Sequence, residues 1–283
     1  MTGGPLLDTV TPPLDGRAFR WSVGTRPVPV AKWLQIDHSR HDLVTAKDAV
    51  LDAHLPDAVI STQPSEAASA ELLRTVVDHL REWHTGQYMV TSDAIVDVES
   101  QRATTIDPDR PLQTLARALP EDFCILTSDD DSWRLTAASV CFTSRWNLRD
   151  KMGATVGEIH APVPGYEERV ATAVDHLINR LSVGQVLTRS NWTLLDTAEL
   201  HLPEPATPRP ETTDVWDLKW LRIERQSLRR LPETDAVVFT IGTRVFRVDE
   251  LEPNDRRRLH EAVRMAPADV RGYKGWPTVD ELR

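Results

Sequence analysis

The sequence predicts an α+β fold in which helices gather on one face of an antiparallel sheet. Two observations carry this. The strand-like segments come as a hairpin, then short helices and a longer helix, then a three-strand antiparallel meander. No regular strand–helix–strand alternation runs along the chain, which disfavours a doubly wound nucleotide fold.

The elements follow in order. Residues 1–35 are Pro-rich, carry Trp21 and Trp33, and read as an ordered arm. LVTAKDAVLDA (43–53) reads as a short helix stopped by Pro56. Residues 65–84 give the clearest helix: Ser65 is placed to cap it, and Leu73, Val76, Val77, Leu80 and Trp83 recur at 3–4 spacing. YMVTSDAIVDV (88–98) is β-branched and reads as one strand, and PLQTLARAL (111–119) as a helix with Pro at its first position. FCILTS (122–127), the turn DDDS (129–132) and WRLTAASVCF (133–142) form a hairpin. Short helical pieces near 146–158 and the loop HAPVPGY (160–166) lead into an amphipathic helix at 167–182. Its apolar side carries Val170, Val174, Leu177, Ile178 and Leu181. Strands at 185–195, 220–231 and 236–248 complete the meander, with Pro203, Pro205, Pro208 and Pro210 in the loop between the first two. A closing helix spans 254–266, with Asn254 as its cap.

Composition narrows the function. The 283 residues have a formal net charge of −10 and no basic tract, a poor basis for wrapping nucleic acid. No apolar run is long enough to span a membrane, and the N-terminus lacks a basic region followed by an apolar one, so a cytoplasmic protein is expected. Cys124 and Cys141 are the only cysteines and read as reduced core thiols. Nine tryptophans against three tyrosines read mainly as core and edge packing. Neither phosphate-cradling glycine loop is present, nor GxSxG, nor HExxH. The His38–His41 pair reads as a solvated surface pair, and His79 and His84 do not share a helix face.

Four stretches are more particular: FTSRWNLRDKMG (142–153), IHAPVPGY (159–166), TRSNW (188–192) and LRIERQSLRRLPETDAVVFTI (221–241). With the preceding hairpin they resemble the heme-dependent oxidative N-demethylase family, most closely over about residues 111–245. The resemblance implies a heme-binding PAS-like fold, an antiparallel sheet with helices on one face, plus an N-terminal helical extension. The expected divisions are 1–110 (arm and helices packing on the core), 111–250 (PAS-like core) and 251–283 (C-terminal helix and tail).

The site residues follow from that resemblance read with the residues themselves. His160, mounted on a loop stiffened by Pro162 and Pro164, is the expected axial ligand of a heme b iron, with His176 as its rival. Tyr166 follows Gly165 at a helix start and has a hydroxyl to offer the pocket, though a packed tyrosine would look the same. Arg189 and Asn191 alternate along a strand and share a face, where Arg suits a heme propionate; Arg145 is a further propionate candidate. Arg222, Glu224 and Gln226 also share a face, with Leu221, Ile223 and Arg225 opposite. Glu224 is expected to anchor a protonated secondary amine and Arg222 to keep it ionised, although a purely structural Arg–Glu network reads equally well. Arg229 and Arg230 are expected at the surface or at the propionate edge.

The implied activity is NADPH-driven oxidation, with dioxygen, of a small methylated amine such as dimethylamine, releasing formaldehyde. The chain has no dinucleotide fingerprint and too few cysteines for an iron–sulfur cluster. The resemblance therefore implies a separate flavin and [2Fe–2S] reductase subunit, with a folate-dependent partner capturing formaldehyde. The last strand departs from the family pattern at Arg244, which leaves room for a larger amine in specialised metabolism. A heme PAS-type gas sensor and a subunit that has lost heme are the competing readings. A sensor needs an output module, and no kinase, cyclase or coiled-coil pattern follows residue 250.

Overall fold

The computed structural model describes residues 22–129, 132–205 and 217–276. In chain order its elements are β1 (Arg26–Val28), α1 (Arg40–Ala58), β2 (Val59–Ser61), α2 (Glu66–Trp83), β3 (Tyr88–Val90), β4 (Ala94–Asp97), β5 (Ala103–Thr105), α3 (Pro111–Ala118), β6 (Asp122–Asp129), β7 (Ser132–Ser139), α4 (Val156–His160), α5 (Thr172–Arg180), β8 (Val186–Leu195), β9 (Trp220–Arg230), β10 (Val237–Arg247), α6 (Pro253–Met265) and α7 (Ala268–Tyr273). Seven strands make one antiparallel sheet in the order β1-β8-β9-β10-β6-β7-β2, and β3-β4-β5 make a small second sheet. The hairpin and the meander join through β10 and β6, whose register runs from Val237↔Leu126 to Ile241↔Asp122. The result is the α+β fold with a large antiparallel sheet expected from the sequence, though helices cover both faces of that sheet.

Period-two alternation divides the large sheet into two faces. Leu187, Leu228, Val237, Cys124 and Leu126 point to the face covered by α4 and α5. Val186, Val238, Phe123 and Ile125 point to the opposite face, where α2 and α3 supply Leu72, Val76, Leu80 and Leu115. Each such fully buried aliphatic side chain contributes roughly 1.5–3 kcal/mol. A third apolar cluster packs α6 onto Trp192, Leu194, Leu221 and Ile223. No described helix is long and apolar enough to cross a membrane.

One buried ion pair ties the N-terminal helices to the sheet. Lys47 Nζ lies 3.1 Å from Asp122 Oδ1, with both side chains fully excluded from solvent. Asp122 also accepts the backbone N–H groups of Cys141 and Phe142, at 3.0 and 2.9 Å. These contacts satisfy a carboxylate that burial would otherwise make very costly.

Several local expectations change. α1 runs past the expected stop, kinked at His54 (φ −135°) two residues ahead of Pro56. Ser65 precedes α2, but its Oγ donates to Thr62 O at 2.6 Å and does not cap the helix. Trp83 is 46% exposed rather than part of the core face. The strand expected at 88–98 is two short strands, because Thr91 and Asp93 bond through their side chains (2.8 Å) and turn the chain. The helix after Tyr166 opens with a π-turn, Glu167–Ala171. Asn254 lies inside α6, whose cap position is Glu252 with Pro253 next. A short helix, α7, follows where only a tail was expected. Trp21, Pro208, Pro210 and part of the 129–132 turn lie outside the described residues.

Candidate functional site

The polar residues of the meander converge because its register brings them level. Across β8 and β9 the partners are Arg189↔Gln226, Asn191↔Glu224 and Thr193↔Arg222. Across β9 and β10, Glu224 is level with Thr243 and Gln226 with Ile241. Directly paired residues of antiparallel strands share a face, so these side chains form one polar wall. It is continuous with Leu187 and Leu228 and therefore lies on the side covered by α4 and α5. Trp192 points the other way, 4% exposed.

Arg222 and Glu224 are built differently from one another. Arg222 is fully buried and each of its three side-chain nitrogens is engaged. Nε donates to Glu224 Oε1 (2.9 Å), Nη1 to Leu200 O (3.0 Å), and Nη2 to Phe142 O (2.5 Å) and Thr243 Oγ1 (3.5 Å). It holds Glu224 from behind and pins two loops, with a bond at every nitrogen. Glu224 accepts a second bond from Gln226 Nε2 at 3.3 Å, and its side chain is 14% exposed.

On the same side of the sheet, near Arg189, stands His160, the last residue of α4. A capping box fixes this short helix: Thr155 Oγ1 accepts from Glu158 N (3.2 Å) and the Glu158 carboxylate from Thr155 N (2.7 Å). His160 Nδ1 lies 2.8 Å from Val156 O. A carbonyl only accepts, so Nδ1 carries the proton and Nε2 keeps its lone pair. Burial, then the nearby Arg189 and Lys151 charges, hold the imidazole pKa below its ordinary value. The group is thus a neutral imidazole with one oriented donor nitrogen, the form that ligates metals. Tyr166 stacks on it, with ring centroids 4.8 Å apart and planes 11° from parallel. Burial, followed by Asp175 and Glu167, pushes the Tyr166 phenol up to about 12. Gly165, at φ +66°, makes the left-handed turn that brings Tyr166 back over the histidine.

The neutral histidine and the polar wall therefore lie on the same side of the sheet, with Arg189 of the wall close enough to act on the imidazole. A family model described as "Haem-dependent oxidative N-demethylase, alpha subunit-like" matches residues 24–282. The chain belongs to the heme-dependent oxidative N-demethylase alpha-subunit-like family. Membership makes it a heme-dependent, oxidative-demethylase-like protein and one subunit of a larger enzyme. The residues present fit a heme. His160 offers a free nitrogen, and Arg189 Nε is buried with no hydrogen-bond partner among the described residues, as a cation awaiting an acidic group would be. Leu187, Leu228 and Phe239 continue the same sheet face as an apolar surface beside the wall.

In this family member the remaining candidates sit as follows. Arg145 has a left-handed backbone (φ +66°) and pairs with Asp196 at 3.3 Å beyond the end of β8. No described contact joins it to His160 or Glu224. His176 is exposed on α5. Arg230 is buried rather than at the surface; it clamps Leu181 O (2.6 Å) and Ile178 O (2.7 Å) at the end of α5. Arg229 points to the opposite face, 4.4 Å over the Trp33 ring. Arg244, the departure from the family pattern, also lies on the opposite face and pairs with Asp37 at 2.9 Å. It leaves the wall unchanged. Cys124 and Cys141 are free and buried, and burial pushes both thiols up to about 12. His38 and His41 are exposed.

Sequence reasoning missed Lys274, just past α7. Its Nζ donates to Trp192 O (2.6 Å) and Asn191 Oδ1 (3.4 Å) at the open edge of β8. Trp192 and Trp276 stack on each other, centroids 4.8 Å apart, and the ammonium lies beside the pair, 5.6 and 5.4 Å from their centroids. Burial pushes its pKa down to about 8, while the Glu224 charge opposes that shift. The signal available in the sequence was a lysine bracketed by aromatics in GYKGW, on a helix too short to register by periodicity.

Proposed function

We propose that this chain is the catalytic subunit of an oxidative N-demethylase, with His160 as the axial ligand of heme b and a small N-methylated secondary amine as substrate. The observation that carries the reading is the neutral, Nδ1-tethered imidazole of His160 beside a wall that holds one partly exposed carboxylate, Glu224.

In outline, the amine loses its methyl carbon as formaldehyde. One atom of dioxygen leaves in the formaldehyde and the other in water. Two electrons and two protons complete the balance. The heme, when bound, supplies the redox centre at which dioxygen is used. The chain's own residues do the rest. Val156 O and the Tyr166 ring hold the imidazole in one orientation. Arg222 and Gln226 hold the Glu224 oxygens, so that a substrate ammonium meets a carboxylate already in place. Arg189 supplies positive charge near His160 for a propionate or for the oxidant.

The electrons come, in this reading, from NADPH through a separate subunit with flavin and a [2Fe–2S] cluster. A folate-dependent subunit takes up the formaldehyde, and the assembly works in the cytoplasm.

The test is an absorption spectrum of the protein with hemin, repeated with added dimethylamine. A Soret band that shifts with the amine is expected. His160→Ala should lose the band, and Glu224→Gln should weaken the amine response more than oxygen binding. A His160→Ala protein with full heme content and an unchanged spectrum removes His160 from the role.

A further inference from the structure

The wall carries more positive charge than it has carboxylate to balance. Arg189, Arg222 and Lys274 stand around Glu224, and Glu224 Oε1 is committed to Arg222 Nε at 2.9 Å. Lys274 Nζ meets only neutral oxygens, Trp192 O and Asn191 Oδ1. Arg189 Nε is buried and meets no acceptor among the described residues. Burial lowers the pKa of both groups, so each cation is held at a cost that an anion between them would relieve.

The placement of these charges is also informative. Asn191 is level with Glu224 across the β8–β9 ladder, and Lys274 reaches Asn191, so a cation stands beside the anion. The stacked indoles of Trp192 and Trp276, with centroids 5.6 and 5.4 Å from Lys274 Nζ, help to fix where that cation sits. A ligand with an ammonium next to a carboxylate matches this pattern, whereas a simple dialkylammonium uses only Glu224 and is repelled by the two cations.

We propose that Arg189 and Lys274 form a carboxylate-binding subsite beside Glu224, and that the amine oxidised here is zwitterionic, an N-methylated amino acid. The proposal rests on the reading of this wall as an amine site. A heme propionate has the same chemistry as the substrate carboxylate, so the experiment must separate the two sources.

The hemin-loaded protein is titrated with N-methylglycine, with its neutral-ended amide, and with dimethylamine, by calorimetry and by the Soret band. N-methylglycine is expected to bind at least about tenfold more tightly than the other two, the effect of one charged hydrogen bond. Lys274→Met, which keeps bulk beside the indoles, should erase most of that preference and leave heme content unchanged. Equal affinities for N-methylglycine and its amide overturn the proposal, and this arm needs no variant that might misfold. A Lys274→Met protein that loses heme but keeps the preference assigns the carboxylate to the porphyrin and also overturns it. If the protein shows no Soret band yet calorimetry retains the carboxylate preference, the heme reading fails and the subsite stands.

Discussion

Arg222→Met tests whether the wall is held from behind. The substitution keeps an unbranched side chain of similar reach but removes the guanidinium. It strips donors from Glu224 Oε1, Leu200 O and Phe142 O, all bonded at 3.0 Å or less. Arg222 is fully buried, so water does not readily replace those donors. Breaking a buried ion pair from one side costs about 3–5 kcal/mol, and each orphaned acceptor about 1–3 kcal/mol. These overlap, and a loss of about 4 kcal/mol is expected, a large share of the roughly 5–15 kcal/mol that keeps a domain folded. Urea unfolding of the heme-free protein measures it. Glu224→Gln in the Arg222→Met background should recover about 1–3 kcal/mol, because the uncompensated charge is gone. A single-variant cost under about 1 kcal/mol, with no coupling to position 224, would refute the view that Arg222 is spent on Glu224.

Three further outcomes follow from the same reasoning. Arg189→Met should leave heme-free stability unchanged or raise it by about 1 kcal/mol, since its buried Nε has no partner to lose, while lowering hemin affinity or amine binding; a marked loss of stability in urea would contradict this. His79 is 3% exposed, and burial, then His84 and Arg229, push its pKa down to about 3. The unfolded chain therefore binds the extra proton, and stability is complete above the ordinary histidine pKa and falls as pH drops toward 3, by up to about 1.4 kcal/mol per pH unit. His79→Phe should flatten this slope between about pH 6 and 4, and an unchanged slope in urea titrations would locate the acid sensitivity elsewhere. Thr155→Ala removes the capping box of α4 and should cost about 1 kcal/mol and weaken hemin binding through the His160 mount; hemin affinity equal to wild type would show that the cap does not position the ligand.

The meander was legible because one rule, period two, both finds its strands and sorts their side chains. Arg189 with Asn191, and Arg222 with Glu224 and Gln226, fall on the faces that alternation assigns, and the antiparallel ladder then sets the two groups level. What alternation cannot give is how far a side chain's bonds are already used. Arg222 and Arg189 look alike in the sequence; only the approach of the Phe142 and Leu200 carbonyls makes one of them structural. Arg230 was misplaced for the same reason, since its partners are the carbonyls at the end of α5. The N-terminal part was less legible because its strands have three or four residues, too few to show a period, and are set by turn side chains such as Thr91. Lys274 enters the site from 83 residues beyond Asn191, so no local pattern could place it there.

The contrast between the two arginines bears on how the wall works. Folded proteins satisfy nearly all buried polar atoms, and the chain does so at Arg222, whose nitrogens are all engaged. One strand away it leaves Arg189 Nε buried and unpaired. Both positions are on the same wall of the same ladder, so a lack of polar groups in the fold does not account for the difference. A fully paired Arg189 would have no donor left for an incoming anion, and an unpaired Arg222 would let Glu224 swing. The arrangement therefore divides the charge into a spent cation that fixes the carboxylate and unspent cations that await a ligand. That division accepts a local loss of stability where binding is to occur, as sites commonly do. It also explains why the distinctive segments around 142–153, 188–192 and 221–241 belong together: Arg222 bonds to the first and is level with Thr193, one residue past the second.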